Sequence, residues 1–179
     1  MFAIQNIETF LCLYIFVIMH EIVHMLVATI LKMNVYEIEL LPIGVNAKYA
    51  GKTTNFKELL ISLAGPFASF LFSIILKNET FKLMNLSIAI FNLIPMRPFD
   101  GGKIFENILN ILLSKKIANK ILSFLSKVTL NLLLIFSIIT LIFLRNYYLV
   151  ILVIYMICII KEEAENTRFN AIINYLQID

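Results

Sequence analysis

From Ile7 to Leu31 the chain is apolar with few breaks. That length covers the roughly 20 residues a helix needs to cross the hydrocarbon core of a bilayer. In lipid such a run must pair its backbone groups internally, so it is read as a membrane helix rather than a strand or loop. Further apolar runs follow at Phe56–Leu76, Phe81–Ile94, Ala118–Leu144 and Tyr147–Ile160, the third cut short by Pro95 and Pro98. Of the 179 residues, 60% are hydrophobic, whereas a soluble domain is about half apolar. The expected fold is therefore an all-α polytopic membrane bundle of about five transmembrane helices. It occupies residues 1–160, with a charged cytoplasmic tail at 161–179. Arg145-Asn146 joins the last two runs so tightly that they should form an antiparallel hairpin.

The net charge is +3, and no basic stripe with interleaved aromatics occurs, so a nucleic-acid partner has no support. Cys12 and Cys158 lie within apolar runs without ligand spacing and read as small buried side chains. The first run lacks a basic leader and holds the most unusual polar residues of the chain, which argues against a cleavable signal peptide. Lys32, Lys48, Lys52 and Lys57 follow the first run, Arg97, Lys103, Lys115, Lys116 and Lys120 the third, and Lys161 and Arg168 lie in the tail. Lys77, Lys82 and Arg145 are alone on the opposite side, which predicts an external N-terminus and a cytoplasmic C-terminus. Lys127 is expected to snorkel to the cytoplasmic face.

Between the first two runs, Val35-Tyr36-Glu37-Ile38-Glu39-Leu40 alternates, and Pro42 and Gly44 punctuate the stretch after it. A small β-hairpin or strand insertion after the first helix fits this pattern; an ordinary surface loop fits it equally well. Lys103–Leu113 reads as a short amphipathic helix at the interface.

Within the first run stands Met19-His20-Glu21-Ile22-Val23-His24-Met25. Residues four apart share a helix face, so His20 and His24 can direct two imidazoles at one cation. HExxH on a helix is the zinc-binding arrangement of metalloproteases, with the glutamate as general base. Glu21 sits about 100° around the helix, able to reach a water near the cation without occupying its inner shell. An ionisable residue in mid-membrane costs about 2.5–3.5 kcal/mol on insertion scales, so three in five residues call for a compensating cation. His20 and His24 are the only histidines of the sequence. The third ligand of a catalytic zinc must then be a carboxylate or thiolate. Asp100, in Asn92-Leu93-Ile94-Pro95-Met96-Arg97-Pro98-Phe99-Asp100-Gly101-Gly102, is the favoured candidate, because prolines and glycines break the helix and let a carboxylate fold inward. Glu106 is its nearest rival; Glu8 lies too far along the same helix, and Cys12 and Cys158 are isolated.

HExxH followed by NxxPxxPxDG, with Leu41-Pro42-Ile43-Gly44 and Ala64-Gly65-Pro66 between them, resembles the site-2 protease family of intramembrane zinc metalloproteases. The order of motifs and the acidic start of the tail, Lys161-Glu162-Glu163, are similar to the stage IV sporulation protein FB type. The resemblance covers nearly the whole chain. It implies one Zn2+ per chain on His20, His24 and Asp100, Glu21 as catalytic base, and Asn92 facing the substrate or the oxyanion. Chemically, the Asn92 amide could stabilise an oxyanion or equally serve an interhelical hydrogen bond. The resemblance also implies a membrane-tethered protein substrate, paired as a strand with the segment containing Pro42 and Gly44. For the sporulation type, that substrate is a sigma-factor precursor, inhibitory membrane proteins restrain the enzyme, and the location is a bacterial forespore membrane. That type usually has a span ahead of its HExxH helix and often a nucleotide-sensing CBS domain. Neither has a counterpart in this sequence, and Pro-Ile-Gly-Val stands where the family has Pro-Phe-Gly-Gly. Two other functions compete. A metal transporter would spread polar groups over several helices or show inverted repeats, and this chain has one cluster and no repeat. An inactive binding relative has no need of the intact Glu21.

Overall fold

The computed structural model describes residues 2–41, 44–50, 54–96, 99–145, 147 and 149–161. Six helices and one hairpin follow in chain order: α1 (Phe2–Ile30), β1 (Asn34–Leu41), β2 (Gly44–Ala50), α2 (Asn55–Ile75), α3 (Glu79–Asn92), α4 (Asp100–Leu112), α5 (Lys115–Leu144) and α6 (Leu149–Lys161). Pro42 and the tail beyond Lys161 lie outside the described residues.

Helix ends follow local chemistry. α1 closes where Lys32 takes a left-handed backbone (φ 59°) and the Met33 amide donates to the Ala28 carbonyl at 2.9 Å. The next segment forms an antiparallel pair, with Asn34 opposite Ala50, Leu41 opposite Gly44, and an irregularity between Val35 and Glu37. Thr54 caps α2 by accepting from the Lys57 amide, with Glu58 in the first turn. Asn78 does the same for α3, accepting from the amides of Thr80 and Phe81, so the chain reverses between α2 and α3 in very few residues.

α2 is the central helix and packs against α1, α3 and α4. Its buried residues, Ile61, Ser62, Gly65, Pro66, Ala68 and Ser69, recur at helical spacing along the core face. Ala28, Met33 and Ile61 form an apolar cluster that seats the end of α1 on the start of α2. There the Lys57 ammonium also donates to the Leu31 carbonyl at 3.1 Å, satisfying a C-terminal carbonyl of α1. The Phe16 and Phe81 rings meet edge to face at 5.4 Å, fixing the depth of α3 against α1. Large apolar side chains on the outer faces, such as Phe67, Phe124, Ile142 and Phe143, remain exposed, as expected where lipid is the solvent.

Among the described residues, three helices are long and apolar enough to span a membrane: Ile7–Ile30, Asn55–Ile75 and Lys115–Phe143. This corrects the expectation of five. α3 has 14 residues, and at about 1.5 Å per residue it rises only about two-thirds of a roughly 30 Å core. α6 is similarly short. The reason lies after α3: the chain ends its helix at Asn92 and turns back with Met96 fully buried, so the third apolar run stops inside the protein.

The segment expected to be an interfacial helix begins earlier, at Asp100, and is more than interfacial. Asp100, Gly101, Ile104 and Asn107 are buried on its inner face, while Phe105, Ile108, Ile111 and Leu112 are exposed. Asp100 is thus the first residue of a helix rather than part of a broken one. The cysteines also depart from expectation: Cys12 is half-buried and Cys158 exposed, and both are free.

Candidate metal centre

His20 and His24 project from the same face of α1, and both are buried at 4% exposure. α2 fixes each ring from behind. His24 donates its Nδ1–H to the Ile61 carbonyl at 2.6 Å, and His20 Nδ1 lies 2.9 Å from the Ser69 hydroxyl. The two Nε2 atoms are left facing one another at 3.2 Å. α4 supplies the third group: Asp100 Oδ2 is 3.1 Å from His20 Nε2 and 3.0 Å from His24 Nε2. Helices from three parts of the sequence therefore place three ligand atoms around one point.

The donor set fits a cation. A carbonyl only accepts, so His24 must carry its proton on Nδ1, and its neutral ring offers a lone pair at Nε2. That lone pair faces a carboxylate oxygen and, with Nδ1–H of His20 directed at Ser69, a second imidazole lone pair. With both rings neutral and in these tautomers, three acceptors converge in a buried site, an arrangement that a cation among them would stabilise. In a tetrahedral site with bonds of about 2.0–2.1 Å, ligand atoms stand about 3.3 Å apart. The observed separations of 3.0–3.2 Å are close to that value. Among the described residues, His20, His24 and Asp100 form the one group of three or more such side chains close enough to hold an ion. Glu106, Cys12 and Cys158, the rivals weighed from the sequence, are not in it.

Glu21 is half-buried beside this cluster, within electrostatic range of His24, Asp100 and His20. Lys103, one turn along α4 from Asp100, acts on both carboxylates. The Asn92 amide donates to the Ile88 carbonyl of its own helix at 3.0 Å, which is neither of the two roles expected for it. Gly44 begins β2, away from these contacts in the chain, and Pro42 is outside the described residues.

Three supporting residues escaped the sequence reading. Ser69 is the partner of His20 described above. At Gly65, an added β-carbon would strike His24 Nε2 and sit 2.6 Å from His20 Nε2, so only a glycine lets α1 approach with its imidazoles in place. At Gly101, a β-carbon would meet the backbone of Leu93 and Ile94, so the tight turn that delivers Asp100 needs a glycine there too. The Ala64-Gly65-Pro66 and Asp100-Gly101-Gly102 motifs carried this signal, although the contacts behind it are tertiary.

Fold and cluster define a multi-pass membrane protein with a buried set of metal-ligating side chains. Residues 8–77 and 79–136 match the profile of peptidase family M50, and the chain belongs to that family. A zinc metalloprotease of Methanocaldococcus jannaschii is 35% identical over 56% of this chain. Stage IV sporulation protein FB of Bacillus subtilis is 31% identical over 55% of it. The matched parts are 34% and 39% of those relatives' own lengths. The solved site-2 protease from Methanocaldococcus jannaschii superposes with a TM-score of 0.65 at 29% identity, covering 82% of this chain and 73% of that one.

Proposed function

We propose that this chain is an intramembrane zinc metalloprotease that hydrolyses a peptide bond in a membrane-tethered protein. The observation that carries the reading is the convergence of His20 Nε2, His24 Nε2 and Asp100 Oδ2 beside Glu21. His20, His24 and Asp100 would hold one Zn2+ per chain, which would supply Lewis-acid polarisation of the scissile carbonyl and a lowered pKa for a nearby water. Glu21 takes the proton from that attacking water and returns it to the leaving amine, so the same carboxyl serves as base and then acid. Asn92 has spent one of its two amide hydrogens on Ile88, and the other remains to donate to the developing oxyanion.

An extended substrate is the form this chemistry requires, because a helix keeps its carbonyls engaged and out of reach. The hairpin segment around Pro42 and Gly44 offers backbone partners to a segment so unwound. The distribution of lysines and arginines supports an external N-terminus and a cytoplasmic tail from residue 161. The likeness to stage IV sporulation protein FB supports a bacterial membrane as the location, a forespore membrane as its specific form, and a sigma-factor precursor as the specific substrate. It also supports restraint by inhibitory membrane proteins.

The test is co-expression with membrane-tethered regulators, comparing wild type with Glu21→Gln. Wild type should cleave; the variant should keep its zinc and lose about 10²–10⁴-fold in rate. Undiminished cleavage by Glu21→Gln would remove the mechanism. Tags accessible from the cytoplasm at the N-terminus would overturn the orientation.

A further inference from the structure

Asn85 is fully buried in the middle of α3, and its side-chain oxygen has no hydrogen-bond partner. Its amide nitrogen donates to the Phe81 carbonyl one turn back, so the nitrogen end is settled and the carbonyl end points away from its own helix. A buried amide oxygen left unpaired in a membrane bundle is costly, and the sequence could have placed leucine here instead.

Two independent measures put Asn85 at the depth of His20. Phe16 touches Phe81, and His20 and Asn85 each lie four residues further along their helices, which run in the same direction. Separately, α2 and α3 form an antiparallel pair with a short link between Ile75 and Glu79. Ser69 lies six residues before the link (75 − 69) and Asn85 six residues after it (85 − 79). Ser69 and Asn85 therefore sit level on neighbouring helices, exposed by 1% and 0%.

Ser69 has the complementary shortage. Its one hydrogen bond among the described residues is to His20 Nδ1. If His20 is to present a lone pair at Nε2, Nδ1 must donate, the Ser69 oxygen must accept, and the hydroxyl proton needs an acceptor of its own. A donor without an acceptor and an acceptor without a donor thus share one buried level. No direct hydrogen bond joins the two side chains, and one bridging water would give each the partner it lacks.

We propose that Asn85 is a positioning residue of the metal centre. Its carbonyl takes the Ser69 hydroxyl proton through one buried water, and the chain Asn85–Ser69–His20 fixes the His20 tautomer that leaves Nε2 free for the cation. The inference rests on the zinc reading of the site.

The experiment is a double-mutant cycle on the purified full chain, reading zinc affinity by chelator competition rather than proteolysis. Asn85→Leu and Asn85→Ala should each weaken zinc binding about tenfold, the lower end of what removal of a ligand's supporting group does. Thermal melting of the metal-free proteins identifies any variant that fails to fold, and the two sizes of replacement separate packing from the lost acceptor. In a Ser69→Ala background, Asn85→Leu should weaken zinc no further, because the relay is already cut. Unchanged affinity in both single variants, or a loss undiminished in the Ser69→Ala background, overturns the proposal and leaves the zinc reading intact. Failure of the wild-type chain to bind zinc at all removes the zinc reading itself.

Discussion

Alanine at position 65 would place a β-carbon 2.6 Å from Nε2 of His20, and closer still to Nε2 of His24. Ordinary contact begins near 3.4 Å, so the His20 ring must retreat by roughly 0.8 Å and the His24 ring by more. Both rings are held from behind, by Ser69 and by the Ile61 carbonyl, so they cannot swing away without breaking those bonds. Misplacement of reacting groups by about 1 Å costs on the order of 10²-fold in rate. The expected result for Gly65→Ala is therefore a loss of at least about 10²-fold in kcat/KM, together with weaker zinc binding. Fold stability should fall as well, because moving the buried rings breaks their bonds to Ser69 and the Ile61 carbonyl, which outweighs the roughly 0.5–1 kcal/mol by which alanine is favoured over glycine inside a helix. The assay pairs cleavage of a membrane-tethered reporter in proteoliposomes with zinc content and thermal melting of the same preparations. Wild-type zinc affinity with wild-type kcat/KM would show that the imidazoles do not converge beneath Gly65, and the geometric argument would fall.

Asp100→Asn keeps the shape but removes the charge that offsets the cation, so zinc content should drop and cleavage collapse; full activity would return Glu106 or a cysteine to consideration. Gly101→Ala drives a β-carbon into the backbone of Leu93 and Ile94, which cannot step aside as a side chain can. It should therefore lower the melting temperature as well as zinc content, and an unchanged melting temperature would argue against that close approach. Treatment with a strong zinc chelator should abolish cleavage, and stoichiometric zinc should restore it; activity that survives complete zinc removal contradicts a metal-dependent reaction.

The members of the His20, His24 and Asp100 cluster were legible because each left a local trace. His20 and His24 are one turn apart in a run whose only charged residues are Glu21 and, near its start, Glu8, and Asp100 is the sole aspartate before the C-terminal residue. Spacing along one helix, together with the penalty for placing charge in lipid, was enough to name them. The number of spans was not legible in the same way. The Phe81–Ile94 run has the composition of a membrane helix, but its length is decided by where Asn92 ends the helix and how Met96 packs, and hydropathy does not record that. Cys12 and Cys158 sat in apolar runs and were expected to be buried, yet in a bundle bathed by lipid an apolar position is as often outside as inside.

What the sequence determined by itself is chemistry that depends on neighbours in the chain: apolar length, the helical repeat that aligns two imidazoles, and the turn residues around Asp100. Only the tertiary structure decided which atoms hold those groups in place. Ser69, the Ile61 carbonyl, Gly65 and Gly101 act across helix contacts between residues far apart in the chain. A glycine's missing methyl or a carbonyl's free lone pair has meaning only once another helix is laid against it.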